Sequence, residues 1–220
     1  MAYELITEPY TEQTPHWPQT GRHIMAHYDE DSVVVYQAYN AAIGAYAVAE
    51  GCFYGAPGFK TERMTWIKPN FLWMMHRSEW ARKAHQEVIL AIWLDRVGFD
   101  AILRKAVLSA FDPQIYDDYD DWKQSVNASS VRVQWDPDYN PVDGRLDRRA
   151  IQIGLRGKTA KHYAGGGWIN HIEDITEFVH TQYKNAHKPY TDLVLPRERV
   201  YPVYDEDIAY RLGVDADTGA

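Results

Sequence analysis

The sequence predicts a single α+β domain: a mixed and antiparallel sheet with flanking helices. Three observations carry that expectation. The chain has 220 residues, 45% hydrophobic and 25% charged, and a chain of that size can bury roughly 70% of its unfolded surface in one core. Segments with strand character are interspersed with segments at helical spacing. No internal repeat and no linker divides the chain.

Residues 1–21 hold Pro9, Pro15 and Pro18 and little apolar periodicity, so they read as an arm over the surface. The domain proper is expected over 22–187. Ser32 to Tyr36 is a β-branched run and a strand. Asn40 can cap a helix from Ala41 to Glu50, which Gly51 can end in a left-handed conformation. Gly51 to Gly58 is a loop. Arg63 to Ile67 alternates briefly, and Pro69 then stands at the first position of a helix with Phe71, Leu72, Met75 and Trp80 on its apolar face. Glu87 to Leu94 is the strongest strand signal, continuous enough for a central buried strand. Gly98 breaks it, and Phe99 to Ala110 reads as a helix. Val131 to Trp135 alternates as a half-exposed strand, Asp136 to Pro141 is turn-rich, and Ala150 to Leu155 is the hairpin partner. Trp168, Ile169, Ile172, Ile175, Val179 and Tyr183 recur at helical spacing and predict an amphipathic helix from about Trp168 to Tyr183. Residues 188–220 read as an irregular acidic tail.

Composition excludes several classes. The single cysteine, Cys52, rules out an internal disulfide framework and a cysteine-rich zinc module. The longest apolar run, Val88 to Leu94, falls far short of the ~20 residues that cross a bilayer, so no membrane partner is expected. Met1-Ala2-Tyr3-Glu4 has neither a basic region nor an apolar stretch after it, so the expectation is a cytoplasmic protein without a signal peptide. The net charge is −8, yet two segments are basic. Lys60 to Lys83 carries six basic side chains against two acidic ones, and Asp143 to Lys161 does the same. Acid concentrates in Tyr116 to Asp121 and after Tyr204. Two basic segments in an acidic chain form an anion site if they converge, and two solvated faces if they do not. The overall excess of acid argues against a broad duplex-DNA surface.

Several signatures fail on inspection. Gly154 to Thr159 ends like a phosphate loop but has two residues between its glycines where four are required. Asp136, Asp138 and Asn140 copy the start of a calcium loop, but Pro141 stands where glycine makes the sharp turn. The nine histidines form no HExxH pattern, and no metal is expected. Cys52 has no identifiable base and reads as a small buried hydrophobe. No Gly-x-Ser-x-Gly elbow occurs.

Two stretches spend residues that a core does not require. Gln37 and Tyr39 fall at the end of a strand, where polar groups converge on ligands. Arg63, Thr65 and Lys68 interrupt an apolar string beside Trp66 and Trp73, and cations beside indole rings suit a phosphate plus a stacked planar base. The alternative is that the indoles and methionines are core while the bases extend outward.

The same residues carry a resemblance. Arg22…Ala26-x-Tyr28, Val35-Tyr36-Gln37-Ala38-Tyr39, Arg63-Met64-Thr65-Trp66-Ile67-Lys68-Pro69-x-Phe71-Leu72-Trp73-Met74-Met75, Val131 to Pro137 and Ile151 to Leu155 resemble the signature of domain-of-unknown-function family 4291, over roughly Arg22 to Val179. That resemblance implies no activity. A second one concerns layout. The order strand–helix–glycine, hydroxyl before a helix, long apolar strand and later polar strand is similar to ADP-ribosyltransferase folds. It implies glycosyl transfer from NAD, with Gln37, Lys68 and Gln152 at the catalytic positions. The chain departs from that pattern at Gln37, where His or Arg is usual, and at Gln152, where a Glu would stabilise an oxocarbenium-like transition state. The leading expectation is thus an NAD- or nucleotide-binding enzyme acting on a phosphate-bearing small molecule, in which Arg22 and Arg63 hold phosphate, Trp66 or Tyr39 stacks on a flat ring, Tyr36, Thr65 and Arg149 complete the cofactor site, and Lys68 and Gln152 contact the ribose or the acceptor. The alternatives are a non-catalytic module binding single-stranded nucleic acid, with the aromatics as stacking platforms, and a structural or partner-binding protein.

Overall fold

A computed structural model describes residues 3–216; residues 1, 2 and 217–220, the outer ends of the expected arm and tail, lie outside the described residues. The chain opens with β1 (Thr7–Pro9), the short helix α1 (Tyr10–Gln13) and a 3-10 turn at Thr14–His16, then β2 (Gly21–Arg22) and β3 (Met25–Ala26). There follow β4 (Ser32–Tyr39), α2 (Ala41–Glu50), β5 (Thr65–Ile67), α3 (Phe71–Ser78), β6 (Val88–Asp95), α4 (Arg96–Lys105) and β7 (Ala106–Leu108). The second half holds α5 (Tyr119–Ala128), β8 (Val131–Tyr139), β9 (Arg145–Leu155), α6 (Gly157–Ala164), β10 (Ile169–Asp174) and α7 (Thr176–Asn185). It ends in β11 (Val194–Pro196), β12 (Arg199–Val200) and α8 (Glu206–Leu212). The architecture is a single α+β domain with mixed and antiparallel sheets.

One sheet has the order β10-β6-β4. Its alternation feeds two cores, which is why its strands read as continuous apolar runs. Val33, Val35, Leu90, Ile92 and Leu94 face one core, shared with α2, α4 and α6. Val34, Tyr36, Ile89, Ala91 and Trp93 face the other, closed by α3, α7 and the N-terminal segment. Each fully buried aliphatic or aromatic side chain contributes about 1.5–3 kcal/mol, so the two-sided strands β4 and β6 anchor the fold. The second sheet has the order β2-β9-β8-β7, with β5 also on β9. Ile67, Val131, Val133, Ile151, Ile153 and Leu155 cover the first core from its far side. The sheets touch at one bridge, where the Tyr36 amide donates to the Lys68 carbonyl at 2.7 Å and the Lys68 amide returns the bond at 3.3 Å. That bridge lays the end of β4 beside β5, and a cleft opens there.

The local signals at α2 hold. The Asn40 side chain accepts from the Ile43 amide at 3.0 Å, and Gly51 ends the helix at φ 66°. Elsewhere tertiary pairing overrides the pattern. The helix expected over Trp168–Tyr183 is two elements, because Ile169–Asp174 pairs with β6 as an edge strand before α7 begins. Gly98 lies inside α4, where a Cβ would meet the Trp168 ring at 2.4 Å, so the glycine seats that indole. The helix expected to Ala110 stops at Lys105, and Ala106–Leu108 joins β8 in parallel. Asp136 to Tyr139, expected as turn, continues β8, and the reversal falls at Asn140–Gly144, where Asn140 Oδ1 accepts from the amides of Val142 and Gly144. Asn70 caps α3 through the Trp73 amide at 2.7 Å, so Pro69 precedes the helix and does not stand at its first position.

The described segments near both ends, 3–21 and 188–216, are built into the domain. β1 pairs with β11 and β3 with β12, both antiparallel. Trp17, Leu195 and Leu212 are buried, and the segment expected as an irregular tail carries two strands and a capped helix. Glu198, 1% exposed, fastens these ends together. Its carboxylate accepts from the Phe71 amide at 2.6 Å and from Asn70 Nδ2 at 3.0 Å, while its backbone amide donates to Gln13 Oε1 and its carbonyl accepts from Trp17 Nε1. Burial pushes the Glu198 carboxyl up to about 8.

Candidate functional site

The cleft is bounded by the end of β4 (Gln37–Tyr39), by Arg63 to Lys68 in and around β5, by Met74 and Arg77 of α3, by Gln86, and by Gln134 and Gln152 of the β8–β9 hairpin. Its volume is about 550 Å³. A smaller lobe of about 270 Å³ shares Tyr39, Arg63, Met64 and Thr65 with it and adds Ile43, Phe59, Lys60 and His85. Of the residues expected to form a site, Gln37, Tyr39, Arg63, Thr65, Trp66, Lys68 and Gln152 come together here. The remaining three do not. Tyr36 points to the opposite face of β4, is fully buried and packs edge-on against Phe71 at 5.5 Å. Arg22 and Arg149 are opposed in the β2–β9 pairing and line a separate cavity with Asp147 and Asp215, and Arg22 is already paired with Asp112 at 2.9 Å.

A hydrogen-bonded chain sets the wall of the cleft. Tyr163 Oη donates to Gln37 Oε1 at 2.7 Å, and Gln37 Nε2 donates to Thr65 Oγ1 at 2.9 Å and to the Trp66 carbonyl at 3.0 Å. Both N–H groups of the Gln37 amide and one lone pair of its carbonyl are thereby engaged, so this nearly buried side chain holds β5 against β4 as part of the cleft wall. Tyr39 Oη lies 3.3 Å from Thr65 Oγ1, and burial pushes its phenol up to about 12, keeping it a neutral hydroxyl. Trp66 stands opposite Gly154 in the β5–β9 ladder, where a Cβ would meet the ring at 3.0 Å and Met64 Sδ at 2.5 Å. The glycine leaves room for the indole to approach the strand closely. Trp73 is 5% exposed and belongs to the core.

On the floor, the hairpin register sets Gln134 opposite Gln152. Both amides donate to one carboxylate: Gln134 Nε2 to Asp136 Oδ1 and Gln152 Nε2 to Asp136 Oδ2, each at 2.7 Å. Among the described residues no donor contacts either glutamine carbonyl, which leaves two acceptors at the cleft. Lys68 is 7% exposed. Its Nζ donates to the Trp66 carbonyl at 3.2 Å and lies 5.3 Å from the centre of the Trp73 ring. Burial, reinforced by the Arg77 guanidinium and opposed by Asp136, brings its ammonium down to about 7. Among the described residues no carboxylate is within ion-pair distance of it.

Lys60, Arg63, Lys68 and Arg77 thus line two adjoining lobes whose described walls carry no Asp or Glu. Sequence reasoning missed Arg77, Gln86 and Gln134 as lining residues and Asp136 as the group behind them. The signal for Gln134 and Asp136 was present: in β8 they alternate with the buried Val131 and Val133 and so share the face of Gln152. Arg77 offered none, since its approach to Lys68 depends on how α3 packs.

Fold and site together define an α+β domain with a basic, amide-rich cleft between the edges of two sheets. Residues 23–201 match the family described as Domain of unknown function (DUF4291). The chain belongs to that family, and the match extends past the expected boundaries into the C-terminal strands. No curated protein matches the chain. No helix among the described residues is long and apolar enough to cross a membrane.

Proposed function

We propose that the two-lobed cleft binds a phosphate-bearing small molecule of the nucleotide class, with NAD and ADP-ribose as representatives, and that the protein is an enzyme acting on it. One observation carries the reading. In a chain of net charge −8, three exposed cationic side chains, Lys60, Arg63 and Arg77, converge with the buried Lys68 amine on a concavity whose described walls hold no carboxylate. Such an arrangement focuses positive potential and concentrates anions. Arg63 and Arg77 are exposed and suited to phosphate oxygens through their planar donor forks. Tyr39 and Phe59 give the smaller lobe an aromatic wall for a ring. The reading leaves aside glycosyl transfer through position 152, since that position supplies an amide already bonded to Asp136. Binding of a single strand has less support: Trp73 is core, which leaves Trp66 as the one indole of this segment at the cleft.

Calorimetric titration of the full chain with NAD, ADP-ribose and ATP tests this. Each lost charge-assisted contact is worth about 1.5–3 kcal/mol, so Arg63→Ala and Arg77→Ala should each weaken binding tenfold or more. Affinity should fall only modestly with salt, unlike that of a strand binder. Absence of heat with all three ligands at millimolar concentration, or binding indifferent to both arginine substitutions, overturns the proposal.

A further inference from the structure

Lys68 is an unusual occupant of this cleft. The surface charge needed to attract phosphate is already supplied by the exposed Lys60, Arg63 and Arg77. Lys68 instead sits on the floor, nearly buried, with one hydrogen bond to the Trp66 carbonyl and its Nζ over the Trp73 ring. A like charge, Arg77, is close by, and the Asp136 carboxylate that could neutralise it is bonded by Gln134 and Gln152. Desolvation plus a neighbouring cation is the arrangement that keeps a lysine amine unprotonated and nucleophilic. The two glutamine carbonyls beside it are free to accept from sugar hydroxyls.

We propose that Lys68 is a catalytic nucleophile that forms an imine with the open-chain carbonyl of a reducing sugar carried on a phosphate, ADP-ribose being the representative. The inference rests on the phosphate-binding reading above and assigns its substrate class. The Nζ lone pair attacks the carbonyl carbon, a C–N bond forms, and the carbonyl π pair moves to oxygen. Both amine hydrogens pass to that oxygen, which leaves as water as the C=N bond forms. No oxidant or reductant is consumed. Arg63 and Arg77 hold the phosphates at the mouth while the sugar end reaches the floor.

ADP-ribose and NAD separate the two readings, because both carry the pyrophosphate but only ADP-ribose has a free reducing sugar. The full-length protein is incubated with ADP-ribose and sodium cyanoborohydride near pH 7.5, and adducts are located by peptide mass spectrometry. An ordinary lysine is neutral in only about one molecule in a thousand at this pH, whereas burial brings the Lys68 ammonium down to about 7 and makes a far larger share of its amines neutral. The label should therefore be at least tenfold enriched at Lys68 over exposed Lys158 and Lys184. It should be suppressed by excess NAD and lost in Lys68→Arg. The wild-type map alone is decisive if that variant fails to fold. If ADP-ribose binds calorimetrically but Lys68 is labelled no more than the surface lysines, the imine is refuted while the phosphate cleft stands. If neither ADP-ribose nor NAD binds, both readings fall. If unphosphorylated ribose labels Lys68 as well as ADP-ribose does, and NAD gives no protection, the phosphate-directed substrate class is wrong and the proposal falls.

Discussion

Lys68→Met keeps an unbranched side chain one atom shorter and removes its titratable amine at a position 7% exposed. In the folded chain the amine sits near pKa 7, against an ordinary value of 10.5. Between those values the unfolded chain holds a proton that the folded chain lacks, so stability rises with pH through this window and the full cost of the buried charge is felt below pH 7. Linkage puts the gain from removing the amine at about 5 kcal/mol at pH 6, about 3 at pH 8 and about 1 at pH 10. Losing the bond to the Trp66 carbonyl and the contact with Trp73 offsets about 1–2 kcal/mol of this at every pH. The diagnostic quantity is therefore the change in the gain between pH 6 and pH 10, about 4 kcal/mol. Urea unfolding of both proteins at pH 6, 8 and 10 measures it. A variant whose stability difference from wild type stays constant across that range, or that is less stable at pH 6, would refute the description of Lys68 as a buried, depressed amine.

Two further outcomes follow from the same geometry. Glu198 has its folded pKa raised to about 8 from 4.5, so its contribution is fully present below pH 4.5 and is lost as pH rises to about 8. Glu198→Gln should flatten the fall in stability over that window, as read from thermal unfolding at several pH values. Gly154→Val places atoms where Met64 Sδ and the Trp66 ring now lie; it should cost about 1–3 kcal/mol in urea unfolding and weaken ligand binding at the cleft, whereas unchanged calorimetry would show that Trp66 takes no part.

The legible part of this fold is the part governed by local chemistry. The Val33–Tyr36 and Ile89–Trp93 runs read as strands because short continuous apolar runs enriched in β-branched and aromatic residues suit a strand buried on both faces, and Asn40 and Gly51 bracket α2 through ordinary caps. The illegible part involves segments whose partner is distant. Ile169, Ile172 and Ile175 satisfy helical spacing as well as strand pairing, and the ladder with β6 decides between them. The two- and three-residue strands that tie the ends together carry no periodicity, so 188–212 reads as loose chain until Leu195, Ile208 and Leu212 are seen in the core.

The site divides in the same way. Sequence alone determined that Arg63, Thr65, Trp66 and Lys68 form one short segment, and that Gln37 and Tyr39 close a strand, because neighbours in the chain stay neighbours in space. Tertiary structure decided that the Tyr36–Lys68 bridge joins these segments, that the hairpin register adds Gln134 and Asp136 beside Gln152, and that Arg22 and Arg149 belong to a different hollow. Which charges converge depends on how sheets cross and helices dock, and it was that packing, not the composition of any segment, that left Lys68 dry and without a partnering acid.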